Sequence, residues 1–316
     1  MKDNIALLVL FIMFFSCKQL NAEDIAVYDT LDIGNIRQVV SYSGEPSQPI
    51  LLFLHGGPGS SRMPQSDIFS NELKNHFLVV QWDQRASGKT SELNSTTIPI
   101  TLEVMEQDTY EMITALLKKF GKKRLYLAGE SWGTVLGFKM AEKHPELLNA
   151  YLAFSPVIYQ TESEQLLRDE LLSKAKNRND RNSIDELESI SIPFKDYMDI
   201  FYLRKWMFQD QGVIFNEQQT AAVREYLKSW SDMWLNTWNE AIQQNLSESL
   251  TVINCPVYFF IGGKDMQTNH RLATDYFELL QAPEKKLYFY DSASHSVLTE
   301  ESEAVQKVII QDILQK

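Results

Sequence analysis

Six short, almost unbroken apolar runs punctuate this chain: Ile50–Leu54, Phe77–Trp82, Arg124–Ala128, Ala150–Phe154, Val257–Ile261 and Leu287–Tyr290. Runs this short suit strands better than helices. Their continuous rather than alternating apolar character is what a parallel sheet covered on both faces requires. Ile33–Tyr42 alternates apolar and polar residues and reads as one earlier strand. Between the runs the spacing turns helical. In Thr101–Phe120 the apolar positions Leu102, Met105, Met112, Ile113, Leu116, Leu117 and Phe120 share a face, and Gly121 supplies the stop. Val135–Lys143 and Leu272–Leu280 read likewise. Strands alternating with helices imply an α/β fold with a mostly parallel, doubly wound sheet.

The alternation breaks between Tyr159 and Leu250, a stretch rich in charge and in aromatic residues, and without a strong strand signal. It is expected to be a helical cap inserted between two core strands. Trp230, Trp234 and Trp238 fall four residues apart on one helix face. Packing of the cap onto the core accounts for such a stripe, and lining a substrate site is the alternative. The expected division is therefore a leader at 1–17, core at 24–158, cap at 159–250 and core again at 251–316.

Lys and Arg total 30 against 42 Asp and Glu, a formal charge of −12. That balance argues against a nucleic-acid partner, because phosphate-backbone binding needs clustered cations. The cluster Lys118, Lys119, Lys122, Lys123 and Arg124 brackets a helix end, where cations complement the helix dipole. At the N-terminus, Lys2 precedes the apolar run Ile5–Phe15. Such a run is too short to span a bilayer, which takes roughly 20 residues, but it suits a signal-peptide core. Ser16-Cys17 at its end resembles a bacterial lipobox, which implies export with Cys17 lipidated and the membrane engaged only through that anchor. The simpler alternative is a cleaved signal cut near Ala22. Were Cys17 lipidated, Cys255 would be left without a disulfide partner, as a buried structural thiol. The five histidines include no pair at zinc-binding spacing, so no metal is expected.

Gly129-Glu130-Ser131-Trp132-Gly133 fits G-x-S-x-G, with a strand running in and a helix running out. That context permits a strained turn that lifts the Ser131 hydroxyl above the sheet, with the Trp132 N–H nearby where negative charge develops. A serine hydroxyl needs a base, and the base needs an orienting carboxylate. His295, in the polar loop Asp291–Ser296 after the last apolar run, is preferred as base over His270. Asp265, in the loop following Val257–Ile261, is preferred as acid over Asp291. His55-Gly56-Gly57-Pro58-Gly59 follows the first buried run, and the Gly57 N–H would pair with that of Trp132 as an oxyanion hole. His55 is expected to hold that loop by hydrogen bonds. Acyl transfer by such a triad implies no cofactor.

His-Gly-Gly-Pro-Gly, then Asp83-Gln84-Arg85 with Gly88-Lys89-Thr90, then Gly-Glu-Ser-Trp-Gly, then Gly262-Gly263-Lys264-Asp265 and the late His295 resemble the prolyl aminopeptidase (proline iminopeptidase) group of α/β-hydrolases. The resemblance runs in order from about residue 50 to the C-terminus. It implies a Ser131-Asp265-His295 triad, oxyanion donors at Gly57 and Trp132, buried Asp83 and Arg85 bracing the loop, and release of N-terminal residues from short peptides. Two departures stand out. Ala86 replaces a usual glycine, and Asn239 follows the last Trp of the stripe where family members place an ammonium-binding glutamate. Glu240, with Trp234 and Trp238, is the candidate substrate-binding set, and Glu225 and Asp232 are further acidic neighbours. The other readings are an esterase or amidase for small uncharged substrates, and an inactive binding protein on the same fold.

Overall fold

Strands buried on both faces need a layer of helices on each side, and the core of this chain supplies them. The structure is a computed structural model describing residues 27–94 and 100–314. The leader and Cys17 lie outside the described residues. The strands are β1 (Val27–Ile33), β2 (Ile36–Ser43), β3 (Ile50–Leu54), β4 (Leu78–Asp83), β5 (Leu125–Glu130), β6 (Leu148–Phe154), β7 (Val257–Gly262) and β8 (Lys285–Tyr290). They form one sheet in the order β1-β2-β4-β3-β5-β6-β7-β8. Pairing is parallel from β4 through β8 and antiparallel for β1-β2 and β2-β4.

The six apolar runs all fall on strands. The early strand expected over Ile33–Tyr42 is instead a hairpin, β1 and β2, turning at Gly34-Asn35 with φ of 57° and 62°. Two consecutive positive-φ residues suit the tight turn that matches strand twist. β1 escapes the apolar pattern because it is an edge strand, with Val27 and Tyr28 exposed.

The helices of the core are α1 (Ser66–Ser70), α2 (Gly88–Leu93), α3 (Leu102–Phe120) and α4 (Trp132–Lys143). The segment inserted between β6 and β7 begins with α5 (Gln160–Arg178), α6 (Arg181–Ser189), α7 (Tyr197–Asp210) and α8 (Glu217–Ile242). Short α9 (Leu246–Ser249), α10 (His270–Leu279), α11 (Val297–Glu300) and α12 (Ser302–Val308) follow. Alternate residues of the strands face two cores. Leu51, Phe53, Leu152, Phe154 and Phe260 pack with Phe69 of α1, Val297 of α11 and Val305 of α12. On the other face, Phe138 of α4 meets Tyr151, Phe259 and Tyr276 at ring-centroid distances of 5.1, 6.1 and 5.8 Å. Cys255 is buried, which pushes its thiol up to about 12 and leaves it protonated at neutral pH.

Residues Thr161–Gln243 form a compact unit of their own, built from helices joined by short connections and without a strand. Its α8 is closed at the N-terminus by a capping box between Asn216 and Gln219. Inside this unit Glu164 is fully buried and forms a two-pronged pair with Arg204. Glu186 accepts from Lys205 Nζ at 2.6 Å and from Trp206 Nε1 at 2.8 Å.

Asp83 and Arg85 are both buried, but they do different things. Asp83 accepts from the Ser61 hydroxyl and from the Lys89 N–H at 2.7 Å, so it does hold the loop after β3. Arg85 turns away from that loop. Its Nε and Nη2 reach Asp108 of α3 at 2.8 and 2.9 Å, and Nη2 also donates to the Gly34 carbonyl at 2.8 Å. Arg85 therefore fastens the β1-β2 turn to α3, a correction to the role implied by the family resemblance. Removing one partner of a buried pair strands the other's charge at a cost of about 3–5 kcal/mol. Arg85→Met is expected to lower unfolding stability by about that amount, read as a fall in the urea midpoint, with the loss reduced in Arg85→Met/Asp108→Leu.

Candidate active site

The turn that carries Ser131 is dictated by its neighbours. Ser131 directly follows β5 and precedes α4, with φ 52° and ψ −118°. This conformation is sparsely populated for a residue with a Cβ. A Cβ on Gly129 would lie 2.6 Å from the Gly133 carbonyl oxygen, and one on Gly133 would overlap the Leu54 carbonyl. Only glycine at those two positions allows so tight a strand-to-helix reversal. The turn is pinned by the Ser131 N–H donating to the Phe154 carbonyl at 3.0 Å, while the Thr134 hydroxyl donates to the Ser131 carbonyl at 2.6 Å. Ser131 itself keeps partial access to solvent.

His295 Nε2 lies 3.0 Å from Ser131 Oγ, and His295 Nδ1 lies 2.9 Å from Asp265 Oδ2. Asp265 sits just beyond the C-terminal end of β7, and His295 follows β8 by a few residues. Parallel strands in adjacent register deliver both loops to the end of the sheet where β5 delivers Ser131. His270 is the first residue of α10; its ring lies 6.0 Å from that of Phe289, and its buried Nδ1 has no hydrogen-bond partner among the described residues. Asp291 is exposed, one residue past β8. Of the alternatives weighed from sequence, His295 and Asp265 are the pair brought to Ser131.

Asp265 is buried, yet it is well satisfied. Its Oδ1 accepts the N–H groups of Gln267 and Thr268 at 2.8 and 2.9 Å, and its Oδ2 accepts from Thr268 Oγ1 at 2.8 Å beside His295. Burial alone would raise this carboxyl, but electrostatic attraction to the facing His295 ring and these hydrogen bonds outweigh it and hold Asp265 below the usual carboxylate range. An ionised Asp265 accepts, so the His295 proton belongs on Nδ1. Nε2 is then left to accept from the Ser131 hydroxyl.

Two supporting residues escaped the sequence reading. Thr268 Oγ1 stands 3.1 Å from the Ser155 carbonyl as well as near Asp265, and the Ser155 hydroxyl donates to the His295 carbonyl at 2.8 Å. Ser155, at φ 44° just past β6, thus touches both loops that present the acid and the base. Thr268 lies three residues from Asp265 and had a local signal. Ser155 had none.

The loop after β3 reaches the same place. A Cβ on Gly56 would sit 3.3 Å from Ser131 Cβ and 3.9 Å from Ser131 Oγ, so the backbone at Gly56-Gly57 runs beside the serine. Trp132 is the first residue of α4. The two expected donors, Gly57 and Trp132, are therefore on backbone segments flanking Ser131. His55 braces this loop. Its Nε2 accepts the Gln84 N–H at 3.2 Å and its Nδ1 donates to the Gly56 carbonyl at 2.8 Å, while burial keeps the imidazole neutral. Gln84 extends the brace: Nε2 donates to the His55 carbonyl at 3.1 Å, and Oε1 accepts from Trp132 Nε1 at 3.1 Å.

A model of the alpha/beta hydrolase fold matches residues 49–302. The chain belongs to the α/β-hydrolase fold family. It is 27% identical over 297 residues to a protein of Bacillus subtilis (strain 168) named a probable aminopeptidase, covering 88% of this chain and 93% of that one. A proline iminopeptidase of Neisseria gonorrhoeae is 29% identical over 117 residues, 37% of this chain and 36% of its own. Among solved structures, the proline iminopeptidase of Mycobacterium smegmatis superposes with a TM-score of 0.63 at 19% identity, covering 92% of this chain and 98% of that one. This hydrolase therefore shares its fold with that enzyme and has aminopeptidase-like relatives at modest identity.

The remaining candidates lie on α8. Trp234 and Trp238 are buried, Glu240 is exposed, and Asn239 spends its amide on the Phe194 backbone, accepting at 3.2 Å and donating at 2.7 Å.

Because the folded-state carboxyl of Asp265 lies below its ordinary 3.8, its contribution to stability is complete above that pH and is lost as pH falls through the folded value. The stability difference between the wild type and Asp265→Asn is expected to be full from pH 5 to 7 and to shrink in more acidic buffer. Paired denaturation curves across that range check it.

Proposed function

We propose that this α/β-hydrolase is a serine hydrolase, acting through an acyl-enzyme on Ser131 to release N-terminal residues from short peptides in the manner of a prolyl aminopeptidase. The observation that carries the reading is the continuous chain Ser131 Oγ–His295 Nε2–His295 Nδ1–Asp265 Oδ2 at 3.0 and 2.9 Å. His295 takes the hydroxyl proton as Ser131 Oγ attacks the scissile carbonyl, and Asp265 stabilises the resulting imidazolium. The Gly57 and Trp132 N–H groups receive the oxyanion. His295 then returns the proton to the departing amine, and water, deprotonated by the same imidazole, frees the acyl product. The aminopeptidase-like relatives support the choice of peptide substrate.

One observation favours a second reading, an esterase or amidase of small uncharged substrates. Asn239, at the position of interest for ammonium binding, is occupied by Phe194, and the adjacent Glu240 faces solvent. Proline p-nitroanilide assayed beside p-nitrophenyl acetate separates the two; turnover of the ester alone removes the peptidase reading. Ser131→Ala and Asp265→Asn are each expected to cut turnover by about 10³-fold or more with folding retained, and a fluorophosphonate is expected to label Ser131. Absence of that adduct would favour a binding protein instead.

We also propose export with lipid attachment at Cys17, supported by the apolar run ending at Ser16-Cys17. Mass spectrometry of the membrane fraction is expected to find Cys17 as a lipidated N-terminus, and an unmodified terminus downstream of it overturns this.

A further inference from the structure

The loop that would supply the first oxyanion donor contains Gly56, Gly57 and Gly59, the last two at φ 118° and 90°. Apart from Pro58, whose ring fixes one φ, such a backbone has little intrinsic stiffness, so much of its geometry must be imposed from outside. One end is held by His55 and Gln84. The other ends at Arg62, whose guanidinium forks onto Glu130, the residue immediately before Ser131.

Arg62 Nε donates to Glu130 Oε2 at 2.7 Å, and Arg62 Nη2 donates to Glu130 Oε1. The third nitrogen, Nη1, donates to Gln65 Oε1 at 2.9 Å, and the guanidinium carbon lies 5.9 Å from the centre of the Phe69 ring. Arg62 is 5% exposed and Glu130 7%. The pair is thus nearly dry, bidentate and directional. An ion pair so buried offers little net stability over apolar residues of the same shape. What it does fix is a distance and an angle, through two parallel bonds. Here the two groups so fixed are the donor loop and the nucleophile turn. The backbones also touch along the same line, since a Cβ on Gly56 would lie 3.3 Å from the Glu130 carbonyl oxygen.

We propose that Arg62 and Glu130 are positioning residues that set the separation of the Gly57 and Trp132 amide donors around Ser131. Neither touches the reacting atoms. Their effect reaches catalysis through the loop and turn they clamp, so it falls on kcat rather than on substrate binding. The proposal rests on the serine-hydrolase reading above.

The test uses the full-length chain with Arg62→Met, Glu130→Gln, the double variant and Arg62→Lys, against p-nitrophenyl acetate and proline p-nitroanilide. Active sites are titrated with a fluorophosphonate so that kcat refers to competent enzyme. Removing a whole oxyanion donor costs about 10²–10³ in kcat, so Arg62→Met, which displaces one, is expected to lose about ten- to hundredfold with KM within about threefold. Glu130→Gln keeps shape and a neutral hydrogen bond and is expected to lose severalfold, providing a readout should Arg62→Met fold poorly. Arg62→Lys keeps the charge without the fork and should fall between. The double variant is expected to lose far less than the product of the two single losses, because the stranded charge is gone. A purely structural pair would lower the melting temperature and the titratable fraction while leaving kcat per titrated site unchanged, which overturns the proposal, as does a double variant whose losses simply multiply. Ser131→Ala separates the two levels: if it stays active the serine-hydrolase reading fails, whereas wild-type kcat in both single variants beside a dead Ser131→Ala sinks this inference alone.

Discussion

The turn at Ser131 holds a non-glycine residue at φ 52°, a conformation that costs of order 1–3 kcal/mol and persists only where its surroundings over-determine it. Here the surroundings do so from three sides. β6 accepts the Ser131 N–H at Phe154, Thr134 on α4 donates to the Ser131 carbonyl, and the Leu54 carbonyl at the end of β3 closes on Gly133. Two strands and a helix thus meet at one residue. The hydroxyl is aimed because nothing else about the turn is free to change.

The loops around that turn follow the same logic with polar groups. Each carries buried donors and acceptors that would be costly if unmet, and each is met by a partner on a different loop. Gln84 joins His55 to Trp132, Asp83 holds Ser61, Ser155 holds the backbone of His295, and Thr268 stands between Asp265 and Ser155. This is a rigid polar collar on an apolar sheet. It explains how a site made of loops can keep hydrogen-bond distances near 3 Å while Asp265 is buried and Ser131 and His295 keep partial access to solvent.

What was legible in the sequence was local. The apolar runs and the glycines at 129 and 133 express themselves within a few residues, and each falls on the element expected of it. What was not legible depends on distant partners. β1 went unseen because an edge strand with exposed Val27 and Tyr28 lacks the continuous apolar signature of its neighbours. The family resemblance makes Arg85 a brace for the loop, and only the fold shows it reaching Asp108, which is 23 residues away on α3. Ser155 is an ordinary serine after a strand until β7 and β8 bring His295 and Thr268 to it. A residue's partner is a property of topology, and one sequence specifies topology only through its local consequences.

Substrate choice is harder to read for a related reason. A substrate ammonium needs a carboxylate with oxygens to spare, and the buried Glu164 and Asp199 and the half-buried Glu186 of the helical unit are committed. Glu164 is occupied by Arg204. Asp199 receives the N–H groups of Ser191 and Lys195 at 3.2 and 2.7 Å, and Glu186 is shared by Lys205 and Trp206. To recruit any of these, an ammonium would have to compete with a partner already bonded to it, leaving that group unmet at about 1–3 kcal/mol. The exposed Glu240 carries no such penalty, but in high dielectric its attraction for an ammonium is worth only about 1 kcal/mol. On the aminopeptidase reading proposed above, a counter-charge from α8 for a charged amino terminus would therefore be the weakly attracting Glu240 rather than a carboxylate already committed inside the helical unit.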